Sequence, residues 1–201
     1  MSIESEKLYD RANKTFGSMQ AREETVQLMD MLSKEKIKNF MEIGIADGMT
    51  FYLWSAIAND PSLKIGIDFP NGGWGINRSY TEMAAVKQRL LSIGEDVNIF
   101  FGDSHAGHVK EWAEKTVGDK KLDFLFIDGD HSYEGVKQDY DFYSKFVKSS
   151  GLVALHDIKN TKLHEKAGCF VWKLWEELKG EKTEFIDNSS EFAGNGVKRK
   201  P

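Results

Sequence analysis

Short apolar runs of strand type alternate with helix-like segments along almost the whole chain. Such alternation produces a parallel β-sheet that is covered by helices on both faces and joined by right-handed crossovers. The last two runs have no helix between them, so we expect one of them to run antiparallel at the sheet edge. The seven predicted strands span residues 37–43, 63–67, 97–101, 122–127, 152–155, 183–186 and 196–198.

Helical periodicity predicts two helices before the first strand, at residues 4–14 and 23–33. Five further helices fall between strands: one beginning after Gly48, and others at residues 80–93, 105–115, 133–147 and 170–178. A chain of 201 residues that is 40% hydrophobic can bury one sizeable core. We therefore expect a single α/β domain, with extra N-terminal helices in residues 1–35 and the sheet in residues 36–201.

The composition excludes several classes of protein. The formal net charge of −5 disfavours a nucleic-acid partner, and we expect the basic run 198–200 to be a solvated tail. The single cysteine, Cys169, excludes an intramolecular disulfide and a thiolate zinc cluster, and we expect it to be a small packed residue. No segment is apolar enough for secretion or for crossing a membrane, so we expect a cytoplasmic protein with no membrane partner.

Two of the predicted strands end in ionisable side chains. Residues 122–127 are followed by Asp128-Gly-Asp-His131, and residues 152–155 are followed by His156-Asp157. The interval between them holds one helix, so both strand ends can lie side by side. An oxygen-rich cluster there can bind a hard divalent cation, and His131 can move a proton. The alternative is that these are turn and cap residues, which we favour for Asp130 alone.

The first predicted strand leads into a glycine turn and a helix. Gly44 and Gly48 allow a tight turn and the close approach of a ligand, while the helix N-terminus offers free N–H groups. Ala46 stands where a dinucleotide-binding motif has its middle glycine, which weakens that interpretation. Three acidic side chains follow the first three strands at the same sheet edge and favour a nucleoside-bearing small molecule: Glu42, Asp68 and Asp103.

At these positions the sequence resembles the class I S-adenosylmethionine-dependent methyltransferases. It is most similar to the branch with metal-dependent sugar O-methyltransferases and cephalosporin-hydroxylase-like proteins. The resemblance covers roughly Phe16 to the end of the chain and implies a Rossmann-like, doubly wound sheet of seven strands. The matching pieces are Glu42-Ile-Gly-Ile-Ala-Asp-Gly48, Gly66-Ile-Asp68, Gly102-Asp-Ser104, Phe126-Ile-Asp-Gly-Asp-His-Ser-Tyr133 and Gly151-Leu-Val-Ala-Leu-His-Asp157.

The resemblance implies a role for each matching position. The expected general base is His131, with Asp128 as its catalytic neighbour. A divalent cation, commonly Mg²⁺ in the relatives, would bind Asp128, His156 and Asp157. The relatives commonly have an acidic residue at the position of His156, and imidazole suits a transition metal better than magnesium. S-adenosylmethionine would bind the side chains and backbone of Glu42, Gly44, Ala46, Gly48, Thr50, Asp68, Asp103 and Ser104.

Several other aromatic, histidine and glutamine residues have either a functional or a structural interpretation. Trp74, in the glycine-rich loop 69–78, could stack on an acceptor or be a buried anchor. Residues 19–20 could cover the cofactor, whereas Trp172 and Trp175 have the spacing of a core-facing helix stripe. The remaining histidines are expected at surface or helix-packing positions: His105, His108 and His164.

We therefore expect a methyltransferase that modifies an oxygen of a small hydroxylated acceptor, such as a sugar or a natural product. Two alternatives stay open. One is an NAD-type oxidoreductase or epimerase on a related sheet, and the other is a cofactor-binding scaffold without chemistry. The extra N-terminal helices could support a homodimer.

Overall fold

The computed structural model describes residues 1–17, 19–58, 62–74, 78–189 and 191–201. The helices are α1 (Ile3–Phe16), α2 (Arg22–Leu32), α3 (Met49–Ile57), α4 (Tyr80–Ser92), α5 (Gly107–Val117), α6 (Tyr133–Tyr143), α7 (Lys162–Ala167) and α8 (Val171–Glu177). The strands are β1 (Phe40–Ile43), β2 (Lys64–Asp68), β3 (Asn98–Phe101), β4 (Leu122–Ile127), β5 (Val147–Leu155), β6 (Lys182–Phe185) and β7 (Asn195–Arg199). None of these helices is long and apolar enough to cross a membrane.

The seven strands form one sheet in the order β3-β2-β1-β4-β5-β7-β6. The first five strands of this order are parallel, and β7 runs antiparallel to both β5 and β6. The predicted α/β, doubly wound, mostly parallel fold is therefore confirmed, with the reversed strand one place in from the edge. The chain turns from one half of the sheet to the other between β1 and β4, which is where open α/β sheets bind ligands.

Alternate residues of the central strands enter two apolar cores, one on each face of the sheet. Phe124 and Phe126 of β4 face α1, α2 and α3, where the ring of Trp54 packs 5.6 and 5.4 Å from them. Leu125 and Ile127 face α5, α6 and α8. The period of two along β4 explains why this strand is apolar at almost every position. Burial on both faces makes β1 and β4 a rigid base for the loops that follow them.

Two boundaries differ from the sequence prediction by four or more residues. Helix α6 ends at Tyr143, and β5 begins at Val147 rather than at residue 152. The Tyr143 hydroxyl donates to the Ser104 carbonyl at 2.7 Å, which anchors the end of this helix. Residues 148–150 are exposed and polar, so the start of β5 has no apolar pattern to reveal it. The six-residue helix α7 was not predicted, because it is too short to show a period.

The prediction that residues 198–200 form a solvated tail was wrong. Arg199 is in β7, opposite Leu152 of β5, and its guanidinium forms an ion pair with Glu35 at 2.5 Å. The Lys200 ammonium donates to the carbonyls of Ser144 and Val147. The strand itself was predicted at residues 196–198 and extends over Asn195–Arg199, and its basic side chains are not solvated because they find partners in neighbouring elements. The prediction for the two tryptophans holds for Trp175, which is 3% exposed, whereas Trp172 is only half-buried.

Asp123 of β4 joins the strand to the segment that enters β1. Its carboxylate accepts from the N–H groups of Lys38 and Asn39 at 2.9 and 2.8 Å and pairs with Lys148. Burial would raise the pKa of Asp123, but these partners lower it overall. We expect Asp123→Asn to reduce the free energy of unfolding by about 1–3 kcal/mol at pH 7.

The pH dependence of that loss follows from the lowered pKa. A depressed carboxyl pKa contributes stability above the unfolded-state value, and this contribution is lost as the pH falls through the folded-state value. The stability difference between wild type and Asp123→Asn should therefore shrink between about pH 5 and pH 2. Urea unfolding curves across this range measure it, and a pH-independent difference would contradict the assignment.

Candidate active site

A cavity of about 590 Å³ opens at the carboxyl ends of the parallel strands. Residues from the loops after β1, β2, β3, β4 and β5 line this cavity, because the neighbouring strands end side by side there. Ile43 lies beside both Ile67 and Ile127, and Ile127 lies beside Leu155. The residue that follows each strand therefore reaches the same rim. Most predicted site residues line this cavity: Gly44, Ala46, Asp68, Asp103, Ser104, Asp128, His131, His156 and Asp157.

The glycine turn after β1 is tightly packed and held by Asp68. The Asp68 carboxylate accepts from the N–H groups of Ile45 and Ala46 at 2.8 and 2.6 Å. Gly44 has a φ of 86°, and a Cβ built there would lie 2.0 Å from the Asp128 carbonyl oxygen. Only glycine allows the turn to approach β4 this closely. One oxygen of Asp68 is therefore committed to the loop, and the other can face a ligand in the cavity.

Glu42, Gly48 and Thr50 lie behind the residues that line the cavity. Glu42 is fully buried and accepts from the Thr50 hydroxyl at 2.5 Å, and its second carboxylate oxygen has no hydrogen-bond partner among the described residues. Burial raises the pKa of Glu42 well above the ordinary glutamate value. Gly48, with a φ of 82°, begins α3 and packs against Val86. Direct cofactor contact by these three stays a prediction.

Asp103 and Ser104 form the wall of the cavity after β3. Asp103 accepts from the backbone N–H of His105 at 2.9 Å and remains half-exposed to the cavity. The His105 ring bridges to the buried carboxylate of Asp139, with Nε2 and Oδ1 3.3 Å apart. His105 was expected to be a surface or packing residue, but it lines the cavity and fixes the turn that carries Asp103. His108 is exposed, as predicted.

Two carboxylates and two imidazoles meet where β4 and β5 end. Nε2 of His131 lies 3.2 Å from Asp128 Oδ1, and Nδ1 of His131 lies 2.8 Å from Asp157 Oδ2. Nδ1 of His156 lies 3.1 Å from Asp128 Oδ1 and 3.3 Å from Asp157 Oδ1. The structure thus brings together the four residues that the sequence predicts for metal binding and proton transfer. Asp130 instead accepts from the Ser132 N–H and shapes the start of α6.

The charges in this cluster depend strongly on one another. Burial would lower the pKa of His156, but Asp128 and Asp157 raise it to about 9. The same carboxylates raise the pKa of His131 well above its ordinary value. Burial would raise the pKa of Asp157, but the positive charge of His156 and the contact with His131 hold it well below the ordinary aspartate value. In this arrangement protons on the imidazoles balance the two carboxylates.

Asp157 is also unusual in its backbone. Its φ of 62° is in the left-handed region, which costs a non-glycine residue about 1–3 kcal/mol. Strain of this kind persists where surrounding contacts enforce it, and such positions cluster at functional sites. The bend directs the Asp157 carboxylate back towards His131 and His156 instead of along the strand.

Three further contacts were missed or left open by the sequence. His164 of α7 is 1% exposed, and its Nε2 lies 3.5 Å from Asp157 Oδ1. Cys169 is buried, as predicted, but it also lines the cavity with Sγ 3.9 Å from Asp157 Oδ2. Gln20 donates to Asp128 Oδ2 at 2.9 Å, so the segment before α2 does reach the site. No periodic signal marks such contacts, because each depends on the path of a loop.

Aromatic and apolar side chains form the mouth of the cavity. The Trp74 ring stacks on the His131 imidazole with the ring centroids 5.2 Å apart and the planes 16° from parallel. Met19, Phe69 and Phe192 also line the cavity and are at least half exposed. Residues 75–77 of the glycine-rich loop 69–78 lie outside the described residues. The mouth therefore offers an apolar surface next to a charged floor.

The donor chemistry of the cluster fits a divalent metal ion. Ligand atoms of Asp128, His156 and Asp157 lie within 4.8 Å of one another, as do those of His131, Asp157 and Cys169. Both ring nitrogens of His156 are buried without a hydrogen bond to any described residue. Carboxylate and imidazole donors suit several first-row divalent ions.

Comparison with known proteins gives the family. A family model described as "Methyltransferase domain" matches residues 41–158, which is more than half of the chain. The chain belongs to this methyltransferase family. The matched segment contains all of β1 but its first residue, β2 to β5, and the four residues Asp128, His131, His156 and Asp157. The prediction of an S-adenosylmethionine-dependent methyltransferase is thereby confirmed, and the NAD-type alternative is set aside. No curated protein matches the chain in sequence.

Solved methyltransferase structures share the fold at low sequence identity. The O-methyltransferase TomG from Streptomyces achromogenes, involved in tomaymycin synthesis and solved with SAM, has a TM-score of 0.66 and 11% identity over 100% of this chain and 92% of TomG. An O-methyltransferase from Bacillus cereus in complex with SAH has a TM-score of 0.63 and 8% identity over 98% of this chain and 91% of that one. The SAH-bound methyltransferase PaMTH1 from Podospora anserina has a TM-score of 0.61 and 14% identity, over 100% and 89% respectively.

Proposed function

We propose that this methyltransferase transfers the methyl group of S-adenosylmethionine to a hydroxyl oxygen of a small acceptor, such as a sugar or a natural product, with the assistance of a divalent cation. The observation that carries the proposal is the position of His131. It lies between Asp128 and Asp157 on the floor of the cavity, after strand β4, where the chain passes from one half of the sheet to the other.

The cavity matches a cationic, nucleoside-bearing cofactor in size and charge. Its volume of about 590 Å³ is in the range of small-molecule sites. Five aspartates line it, while Arg78 is the one lysine or arginine among its described lining residues, and Arg78 is paired with Asp47. This charge favours a sulfonium ion and disfavours a nucleic acid. Asp68 and Asp103 are placed to accept hydrogen bonds from ribose and adenine.

The proposed metal ligands are Asp128, His156 and Asp157. A divalent ion held there would supply positive charge to stabilise the oxyanion that develops on the acceptor. The two carboxylates would neutralise the ion, and Gln20 would hold Asp128 in place through its hydrogen bond. The Nε2 atom of buried His156, which has no hydrogen-bond partner among the described residues, supports this assignment, since a buried polar atom without a partner is costly.

His131 is the proposed base for the acceptor proton. Asp157 fixes the ring through Nδ1, as a carboxylate orients the histidine of a hydrolase triad, and this leaves Nε2 on the side of Asp128. A protonated ring cannot accept a proton. The base role therefore requires that another cation, such as the divalent ion, balances the charges of Asp128 and Asp157, so that the His131 ring is neutral. Trp74 stacks on one face of the His131 ring, and an acceptor would approach Nε2 beside the Trp74 ring.

Removal of metal should separate chemistry from cofactor binding. We expect EDTA to reduce the rate of methyl transfer at least about tenfold, because it removes a contact that stabilises charge in the transition state. Added divalent ion should restore the rate. Thermal shift with S-adenosylhomocysteine should be unchanged by EDTA, because Asp68 and Asp103 are not metal ligands. The acceptor is found by a screen of sugars and phenols for products one methylene heavier. Full activity in EDTA after exhaustive dialysis would contradict the metal role.

A further inference from the structure

His164 has one ring nitrogen tied to the backbone. Its Nδ1 lies 2.7 Å from the Lys159 carbonyl oxygen. A carbonyl only accepts, so Nδ1 carries the hydrogen, and in the neutral ring the Nε2 atom then presents a lone pair. Histidines that bind metals commonly donate their other N–H to a backbone carbonyl in this way, which fixes the tautomer and the ring orientation.

In the neutral ring this lone pair points towards a carboxylate. Nε2 lies 3.5 Å from Asp157 Oδ1 and makes no hydrogen bond to any described residue, although the side chain is almost fully buried. Two acceptors that face each other in a buried place repel unless a proton or a metal ion lies between them. Two ligands of one ion, each about 2.1 Å from it in tetrahedral geometry, are about 3.4 Å apart. The observed separation fits that arrangement.

His156 approaches the same carboxylate oxygen from the other side. Its Nδ1 lies 3.3 Å from Asp157 Oδ1, and its Nε2 makes no hydrogen bond to a described residue. Ligand atoms of Asp128, His156 and Asp157 are already within 4.8 Å of one another. His164 would join them by a shift of residues 159–164 that carries the ring together with its hydrogen bond to the Lys159 carbonyl. Two imidazoles would then share the ion with two carboxylates.

We propose that His164 is a further ligand of the divalent ion, and that the site consequently selects a borderline transition-metal ion such as Co²⁺ or Zn²⁺ over Mg²⁺. The proposal rests on the metal site of the proposed function and specifies its ligands and its ion. Imidazole nitrogen favours zinc, iron, nickel and copper, whereas magnesium prefers sites made of oxygen alone.

The test is direct metal binding by purified protein. Calorimetric titration with Co²⁺ and with Mg²⁺ should show much tighter binding of Co²⁺ by the wild type. His164→Gln should weaken Co²⁺ binding at least about tenfold and change the visible spectrum of bound Co²⁺. The matched control is His108→Gln, which removes an exposed imidazole outside the cavity and should bind Co²⁺ as the wild type does. S-adenosylhomocysteine affinity should be unchanged in both variants.

Each outcome decides the proposal. If His164→Gln binds Co²⁺ with wild-type affinity and spectrum, or if Mg²⁺ binds as tightly as Co²⁺, the proposal is overturned while the proposed function stands. If the wild type binds neither ion, the metal part of the proposed function fails as well. Should His164→Gln not fold, pulsed EPR of Cu²⁺ bound to His131→Ala counts the coordinated imidazoles without a contribution from His131. Two support His164, and one rejects it.

Discussion

Replacing His131 with alanine is expected to reduce methyl transfer by about 10²–10⁴-fold, the usual contribution of a positioned base. The imidazole is held from both sides, by Asp128 at 3.2 Å and Asp157 at 2.8 Å, and no other described side chain has this position. The affinity for S-adenosylhomocysteine should change little, because Asp68 and Asp103 lie on the other half of the cavity. The rate of S-adenosylhomocysteine formation with an accepted substrate, and the thermal shift with S-adenosylhomocysteine, measure the two quantities.

The matched control for this variant is His108→Ala, which removes an exposed imidazole and should retain the wild-type rate. Added imidazole should restore part of the activity of His131→Ala, since the vacated space adjoins the open cavity. An activity of His131→Ala equal to that of the wild type would reject His131 as the base. It would leave the fold and the cofactor site untouched.

The second large effect is expected from Gly44→Ala. The new Cβ would lie 2.0 Å from the Asp128 carbonyl oxygen, and the φ of 86° strains any other residue. Conformational strain costs about 1–3 kcal/mol and forced separation of β1 and β4 costs about 1–3 kcal/mol more. The free energy of unfolding, measured in urea, should fall by about that sum. S-adenosylhomocysteine binding should be lost as well, because the loop would move away from Asp68.

Substitutions at two other glycines distinguish the effect of backbone strain from the effect of the close approach to β4. Gly17 has a φ of 79°, but a Cβ there meets no described atom within 4 Å, so Gly17→Ala should cost only the conformational part, about 1–3 kcal/mol. Gly107, at the start of α5, has neither the strained φ nor a neighbour in reach, and Gly107→Ala should be neutral or slightly stabilising. Equal losses for Gly44→Ala and Gly17→Ala would show that the close approach to β4 is unimportant.

Much of the site was predictable because it follows strand ends. Glycine turns and acidic residues after apolar runs must gather at one edge of a parallel sheet, so the sequence alone places Asp68, Asp128 and Asp157 together. His164 could not, since it depends on the left-handed backbone of Asp157 and on a helix of six residues. The same holds for Gln20, whose partner Asp128 is 108 residues away.

The amino-acid sequence by itself determined the alternating strands and helices, the edge of the sheet where ligands bind, and the chemical groups that reach that edge. These properties follow from local periodicity and from the end of each apolar run. Only the tertiary structure decided which groups touch. His131 lies between two carboxylates, Trp74 stacks on the His131 ring, and β7, which carries part of the basic run 198–200, lies between β5 and β6. Contacts between distant loops depend on packing of the whole chain, and no short stretch of residues encodes them.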